Sequence, residues 1–238
     1  MGLYRAAAIA GLMMFGNARG SSAGEIQGIV HLEGSVPTPV LMSIQPEAGN
    51  HSTEGCGSLT KVSQQLLVDA NGGVENAVVW VDMPPEASQH ATRAAVSLDQ
   101  LECEFAPHVV IVPPGGSLAF HNADPVLHNI RIFRGRDRLV EEWQHPRTAD
   151  LLARFPSPGR YLVRCGVHSW MHAWVIAAEH RYYAVTDASG TFHLPEIPSG
   201  RYTLHVWHET LGQQDQDVQV GTQGSFVTVR LSKEGGGG

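Results

Sequence analysis

The sequence is poor in lysine, in charge and in long apolar runs, and each shortage excludes a class of protein. Only Lys61 and Lys233 are lysines, and the 238 residues carry a formal net charge of −7. Nucleic-acid binding needs a basic surface, so we do not expect it here. No apolar run reaches the roughly 18 residues that a transmembrane helix requires, so no membrane-spanning segment is expected.

Catalytic signatures are also missing from the chain. The sequence contains no Ser/His/Asp signature, no glycine-rich phosphate loop and no H-E-x-x-H motif. We therefore expect a binding or carrier protein and not an enzyme.

The N-terminus has the pattern of a secretory signal peptide. Arg5 precedes an apolar run over 6–15, and the small residues of NARGSSAG follow. We predict cleavage after Ala23, with Ala18 as the second choice and a frayed or buried N-terminal helix as the alternative. The protein would then be periplasmic or otherwise exported. Without residues 1–23 the chain keeps 14 basic and 23 acidic side chains, a net charge of −9.

The three cysteines of an exported chain make one pair and leave one over. Cys165 lies among potential metal ligands, whereas Cys56 and Cys103 do not. The simplest assignment is a Cys56–Cys103 disulfide and a free Cys165 thiolate. Sequence spacing does not establish that the first two lie within bonding distance.

Short apolar runs separated by Gly and Pro predict an all-β protein, because 26 glycines and 14 prolines supply turns between strands. A helix is considered only within 139–152, where Pro146 would interrupt it. The glycine-rich end, 233–238, is predicted to be a flexible tail.

The regions 24–91 and 179–232, which lie before and after the middle of the chain, together resemble one type of domain. TDASGTF and LPEIPSGRYTL, within 179–232, are similar to the carboxypeptidase regulatory-like, or prealbumin-like, β-sandwich. That stretch is too short for a stable sandwich of its own. Because IQGIVHLEGSVP and VENAVVWVD look like the missing first half, we predict that 24–91 and 179–232 combine. Residues 92–178 would then be an insertion between these halves.

The stretch RCGVHSWMHAW, residues 164–174, concentrates metal ligands. Cys165, His168 and Met171 form a C-x2-H-x2-M pattern that one tight loop can turn toward a single point. A blue-copper centre uses a thiolate, two imidazoles and a weak axial thioether, and the affinity order favours copper over zinc. His128 is the preferred second imidazole because it begins a predicted strand. His121, which also precedes an Asn, is its rival.

The segment 92–178 resembles cupredoxins of the plastocyanin and amicyanin type. The matching pieces are FAP before a strand, PPGGSLAFHN, the pair HN at 128–129, PGRYLVRC and the C-x2-H-x2-M loop. The resemblance implies a Greek-key β-barrel with one type 1 copper, held by the ligands His128, Cys165, His168 and Met171. Asn129 would brace the ligand loop, and His168 would be the partly exposed edge through which electrons pass.

The functions expected from this resemblance differ in what the metal is for. A single-electron carrier would dock a transient redox partner, a cytochrome or a membrane redox complex. A periplasmic copper store or chaperone is the alternative, and a structural β-sandwich module with incidental copper is another. The layout of the whole chain also resembles bacterial exported proteins labelled "methylamine utilization protein", which says little about function.

Several neighbouring side chains have less certain roles. His172 could compete as a ligand, and Trp170 and Trp174 are expected to shield the metal from water. The pair His208 and Glu209 is expected either to face the cupredoxin part or to form a polar strand edge. The arginines between 131 and 164 form either a solvated face or a docking surface for an acidic partner.

Overall fold

The computed structural model describes residues 23–44, 53–58, 60–83 and 95–233. The predicted signal peptide, except Ala23, and the tail beyond Lys233 lie outside the described residues. Within the described residues the chain forms strands and almost no helix. They are β1 Ala23–Leu32, β2 Leu41–Ser43, β3 Thr60–Val62, β4 Val78–Val81, β5 Ala95–Leu101, β6 Glu104–Ala106, β7 Val109–Val112, β8 Ser117–Asn122, β9 His128–Arg134, β10 Asp137–Gln144, β11 Leu151–Ala153, β12 Gly159–Cys165, β13 His172–Ala177, β14 Tyr183–Val185, β15 Thr191–Pro198, β16 Gly200–His208, β17 Gly212–Val220 and β18 Ser225–Leu231.

The all-β fold class is confirmed, and the strands form two sandwiches. In the first sandwich, a sheet of order β15-β1-β18 packs on a sheet of order β14-β4-β16-β17. Its core contains residues from both ends of the chain, including Ile26, Val79, Leu204 and Val229, all at most 1% exposed. β1 pairs with β15 and with β18, and β4 pairs with β16. Strands from 24–91 and 179–232 thus share both sheets, while the exact domain boundaries stay a prediction.

The second sandwich is formed by the strands between these two halves. Its sheets have the orders β10-β9-β12-β13-β7 and β11-β8-β5-β6. Alternation along β12 places Tyr161, Val163 and Cys165 inward, while Arg160 and Arg164 point outward. The inward residues join a core that also contains Phe120 and Met171. Cys165, the last residue of β12, is therefore part of this core.

A third apolar cluster joins the two sandwiches. Val78 and Trp207 from the first sandwich pack with Val109 and Ile176 from the second. The rings of Trp174 and Trp207 meet edge to face, with centroids 5.0 Å apart. The two sandwiches are thus held together by buried apolar area, the dominant favourable term in such contacts.

The prediction of a helix within 139–152 is wrong for the residues that belong to strands β10 and β11. Asp137–Gln144 is strand β10, paired with β9 along its whole length from Arg134 to His128. β10 is largely exposed, so it lacks the alternating apolar pattern that marks a half-buried strand. Backbone pairing to a neighbouring strand decides the structure of this segment.

Among the described residues, no helix is long and apolar enough to cross a membrane.

The shared sheets predict that residues 179–232 do not fold alone. Without β1 and β4, strands β15 and β16 lose their central neighbours, and the apolar face of β16 at Leu204 and Val206 is uncovered. We expect this segment, expressed separately, to give a circular dichroism spectrum of a disordered chain. A well-folded separate segment would contradict the arrangement.

Candidate metal centre

Two neighbouring strands and one loop bring the predicted ligands together. His128 is the first residue of β9, and Cys165 is the last residue of β12, which pairs with β9. Residues 166–171 connect β12 to β13 and contain His168 and Met171. All four predicted ligands are therefore held at one end of a single sheet.

Backbone hydrogen bonds fix the loop that carries His168. The amide of Cys165 donates to the carbonyl of Met171 (3.0 Å), and the amide of Met171 donates to the carbonyl of His168 (3.1 Å). The amide of Gly166 donates to the carbonyl of Asn129 at 2.8 Å. A Cβ at Gly166 would lie 2.2 Å from Oδ1 of Asn129, so only glycine allows this approach. Asn129 thus braces the loop through its backbone carbonyl.

Three soft or borderline donor atoms meet inside the sandwich. The Sγ of Cys165 lies 3.6 Å from Nδ1 of His128 and 3.7 Å from Nδ1 of His168. The two Nδ1 atoms are 3.1 Å apart. His128 and His168 are 0% exposed, and Cys165 is 5% exposed. Two ring nitrogens and a thiol facing one another need a proton or a metal ion between them, so this donor set fits a soft or borderline metal.

Asp124 fixes the ring of His128, a role that the sequence did not reveal. Its Oδ2 lies 2.9 Å from Nε2 of His128 and accepts a hydrogen bond of 2.9 Å from the amide of Cys103. A ring nitrogen that faces a carboxylate carries the proton, so Nδ1 of the neutral ring keeps its lone pair. Such a carboxylate–histidine pair orients metal ligands in many proteins. The one sequence signal was the Asp-Pro turn four residues before His128.

The surroundings favour the thiolate form of Cys165. Burial alone raises the pKa of the thiol, but hydrogen bonds from His128, His168 and backbone amides outweigh it and lower the pKa to about 5. The bond from His128 belongs to its protonated ring, which carries hydrogen on both Nε2 and Nδ1. Burial likewise lowers the pKa of His128, whereas its hydrogen bond to Asp124 and the nearby thiolate raise it, with a net increase. Ligand thiols must be deprotonated to bind a metal, and a lowered thiol pKa favours that form.

His168 is not the partly exposed edge that the resemblance implies. Its side chain is fully buried because two elements cover it. Cys56 and Cys103 form the predicted disulfide, and the Sγ of Cys56 lies 3.9 Å from Nε2 of His168. The ring of Trp170 lies against His168 with centroids 5.1 Å apart, and its Nε1 donates to the carbonyl of Cys103 (3.0 Å). We call the disulfide and Trp170 the cover.

The region 24–91 holds the cover in place. Gly55, next to Cys56, has a φ of +106° and packs against Pro125, in the turn before His128. Lys61 of β3 is buried, with its Nζ 3.4 Å from Glu104 and 3.6 Å from Glu102, on either side of Cys103. Residues far from the ligand loop in sequence thus close the site.

The remaining predicted residues lie in distinct places. Met171 is 1% exposed in the same core, and its role as the axial ligand stays a prediction. His121 is exposed, and its Nδ1 lies 2.8 Å from Asp150, so it is not part of this cluster. Nε2 of His172 lies 3.3 Å from Glu209 of the first sandwich. Glu209 therefore faces the second sandwich, which is the first of the two alternatives considered for it.

Comparison with known proteins gives partial matches. The family model described as "Polysaccharide lyase family 4, domain II" matches residues 155–229, across strands of both sandwiches. It does not show the carboxypeptidase regulatory-like resemblance, which stays a prediction. No curated protein matches the chain.

Solved structures of cupredoxins match part of the chain. Amicyanin from Paracoccus versutus is 20% identical over 42% of this chain and 97% of its own, with a TM-score of 0.32. A purple cupredoxin from Nitrosopumilus maritimus is 19% identical over 36% of this chain and 99% of its own, with a TM-score of 0.31. A pseudoazurin from Sinorhizobium meliloti is 18% identical over 36% and 75%, with a TM-score of 0.30. Similarity at this level carries no argument about ligands, which depends on the residues themselves.

The lowered pKa can be measured directly in the metal-free protein. We expect the thiolate absorbance of Cys165 to appear at a midpoint near pH 5, compared with 9.0 for an unperturbed thiol. His128→Gln removes one hydrogen bond to the thiolate and is expected to move the midpoint upward. His121→Gln, distant from the cluster, is the matched control and is expected to leave it unchanged. A wild-type midpoint close to 9 would contradict the assigned electrostatics.

Proposed function

We propose that this protein is an exported type 1 copper protein that carries single electrons between redox partners. The observation that carries the proposal is the convergence of Nδ1 of His128 and Nδ1 of His168 on the Sγ of Cys165, at 3.6 and 3.7 Å. The sequence resemblance to cupredoxins supports the same ligand set. We propose a carrier and not a catalyst, because His128 and His168 are fully buried and a substrate could not contact them directly.

The ligands would have separate roles. Cys165 would supply the strong thiolate, His128 and His168 the imidazole nitrogens, and Met171 the weak axial thioether. Copper, when bound, supplies a one-electron couple between Cu(I) and Cu(II). A thiolate with two imidazoles and a thioether suits copper better than zinc, because the thioether is soft and copper stands above zinc in affinity.

The protein itself fixes the positions of these donor atoms and excludes water from them. Asp124 orients His128, the backbone of Asn129 anchors Gly166, and the cover excludes water from His168. Donors that do not move keep the rearrangement between oxidation states small. Hydrogen bonds and burial around a metal centre also tune its potential. A rigid, buried donor set is therefore suited to fast electron transfer.

The cover changes where an electron partner would dock. A partner cannot touch His168 itself, so we propose that it contacts the partly exposed Trp170 and the exposed residues on either side of the buried Cys56. We propose that a transient partner, a cytochrome or a membrane redox complex, docks there.

Two substitutions test the ligand assignment. Cys165→Ser is expected to abolish the intense blue thiolate-to-copper band, since a hydroxyl does not replace the thiolate. Met171→Leu is expected to retain copper and the blue colour but to raise the reduction potential, because the axial donor is lost. Absorption spectra and protein-film voltammetry measure both effects. A blue band that persists in the serine variant contradicts the assignment.

One observation favours a second candidate function, copper storage or delivery. The Cys56–Cys103 disulfide can be opened by an external thiol reductant, and we propose that its reduction to two thiols loosens the cover over His168. A copper-handling protein would use such an opening to exchange metal with a partner. An electron carrier would keep its copper in either state of the disulfide.

Metal release measures the effect of the cover. In Cys56→Ser/Cys103→Ser protein, we expect transfer of Cu(I) to a chelator to be faster by about tenfold, equivalent to about 1.4 kcal/mol of lost protection. His121→Gln is the control for a surface change. Unchanged release would show that the cover does not protect the metal. The same transfer is measured for the unsubstituted protein with and without a thiol reductant. If that protein releases Cu(I) within the time of mixing only after its disulfide is reduced, the copper-handling function is favoured.

A further inference from the structure

A second cluster of metal-ligating side chains lies between the two sandwiches. It consists of His108 just before β7, His172 at the start of β13 and Glu209 just after β16. One ligand atom from each residue lies within 4.8 Å of the others. Oε1 of Glu209 contacts Nε2 of His108, and Oε2 lies 3.3 Å from Nε2 of His172. None of the three belongs to the donor set around Cys165.

The hydrogen bonds of His172 favour a cation at this place. Its Nδ1 lies 3.2 Å from the carbonyl oxygen of Trp170, so Nδ1 carries a proton. In the neutral ring Nε2 then presents a lone pair toward the carboxylate of Glu209. Two lone pairs face each other without repulsion only when a proton or a metal ion lies between them. A backbone carbonyl at Nδ1 is also the arrangement that commonly orients a metal-bound histidine.

The carboxylate is held in a similar way. Nε1 of Trp174 donates to Oε2 of Glu209 at 2.9 Å. Oε1 of Glu209 contacts Nε2 of His108, so polar side chains engage both carboxylate oxygens. The side chains of His108, His172 and Glu209 are 3%, 17% and 12% exposed. The group is therefore partly accessible and not sealed in the core.

We propose that His108, His172 and Glu209 form a second metal site that takes a borderline divalent cation of the Zn²⁺ type. Two imidazoles and one carboxylate are a common ligand set for zinc, with a fourth position for water. The absence of a thiolate from these three ligands separates the site in chemistry from the Cys165 centre. Entry of the ion replaces the direct contact between His108 and Glu209 with bonds from each residue to the metal.

The site would exist only when the two sandwiches are packed together. His108 and His172 come from the second sandwich, and Glu209 comes from the first. A bound ion would add a bond between them at the apolar contact of Trp174 with Trp207. The proposal does not depend on copper at Cys165, because it uses different donors.

Zinc binding by the full-length protein tests the proposal. We would use the metal-free Cys165→Ser protein, which lacks the thiolate, and titrate it with Zn²⁺ against a chromophoric chelator. Glu209→Gln and His108→Gln, each added to Cys165→Ser, are expected to lose one zinc equivalent or to bind it at least about tenfold more weakly. The zinc-dependent rise in melting temperature should shrink in the same two variants.

The controls separate this site from others. His121→Gln, at an exposed histidine paired with Asp150, is expected to leave zinc stoichiometry and affinity unchanged. Glu209→Gln preserves shape, so it keeps the test valid if His108→Gln fails to fold. The proposal is overturned if Cys165→Ser protein binds no zinc. It is equally overturned if the stoichiometry and affinity are the same with and without Glu209, since the metal would then be bound elsewhere, for example by His128 and His168.

Discussion

The buried thiol of Cys165, facing two imidazole nitrogens, is the contact on which the rest of this structure depends. A thiolate and two unprotonated ring nitrogens in a dry interior are unfavourable without a compensating charge. Surrounding groups lower that cost: Asp124 raises the pKa of His128, so its ring can carry a positive charge beside the thiolate, and backbone amides donate to the sulfur. The strands β9 and β12 bring these groups to one end of the sheet.

The first half of the chain takes part in the centre without supplying a predicted ligand. Cys56 comes from a loop between β2 and β3, yet the disulfide to Cys103 lies directly on His168. Water exclusion lowers the local dielectric and strengthens each charge interaction of the cluster. The second sandwich is inserted in sequence between the two halves of the first, and the region 24–91 therefore contributes to the cover over His168.

The sequence predicted the parts of the centre that depend on local spacing. Cys165, His168 and Met171 lie close together in sequence. Because Cys165 lies among these potential ligands, Cys56 and Cys103 remained as the simplest disulfide pair. The roles of Asp124 and Glu209 were harder to predict. Asp124 contacts His128, and Glu209 contacts His108 and His172, and no local sequence pattern indicates these contacts. The burial of His168 was missed for the same reason: the covering Cys56 is 112 residues away. Strand β10 was missed because its exposed residues show no alternation.

The central claim is that Cys165 binds copper together with His128 and His168. The most direct test is the absorption and electron-paramagnetic-resonance spectrum of the chain without the predicted signal peptide, loaded with one equivalent of Cu(II). The account predicts an intense blue thiolate-to-copper band and a small copper hyperfine splitting. A pale spectrum with the splitting of ordinary tetragonal copper would mean that the thiolate is not a ligand, and it would contradict the account.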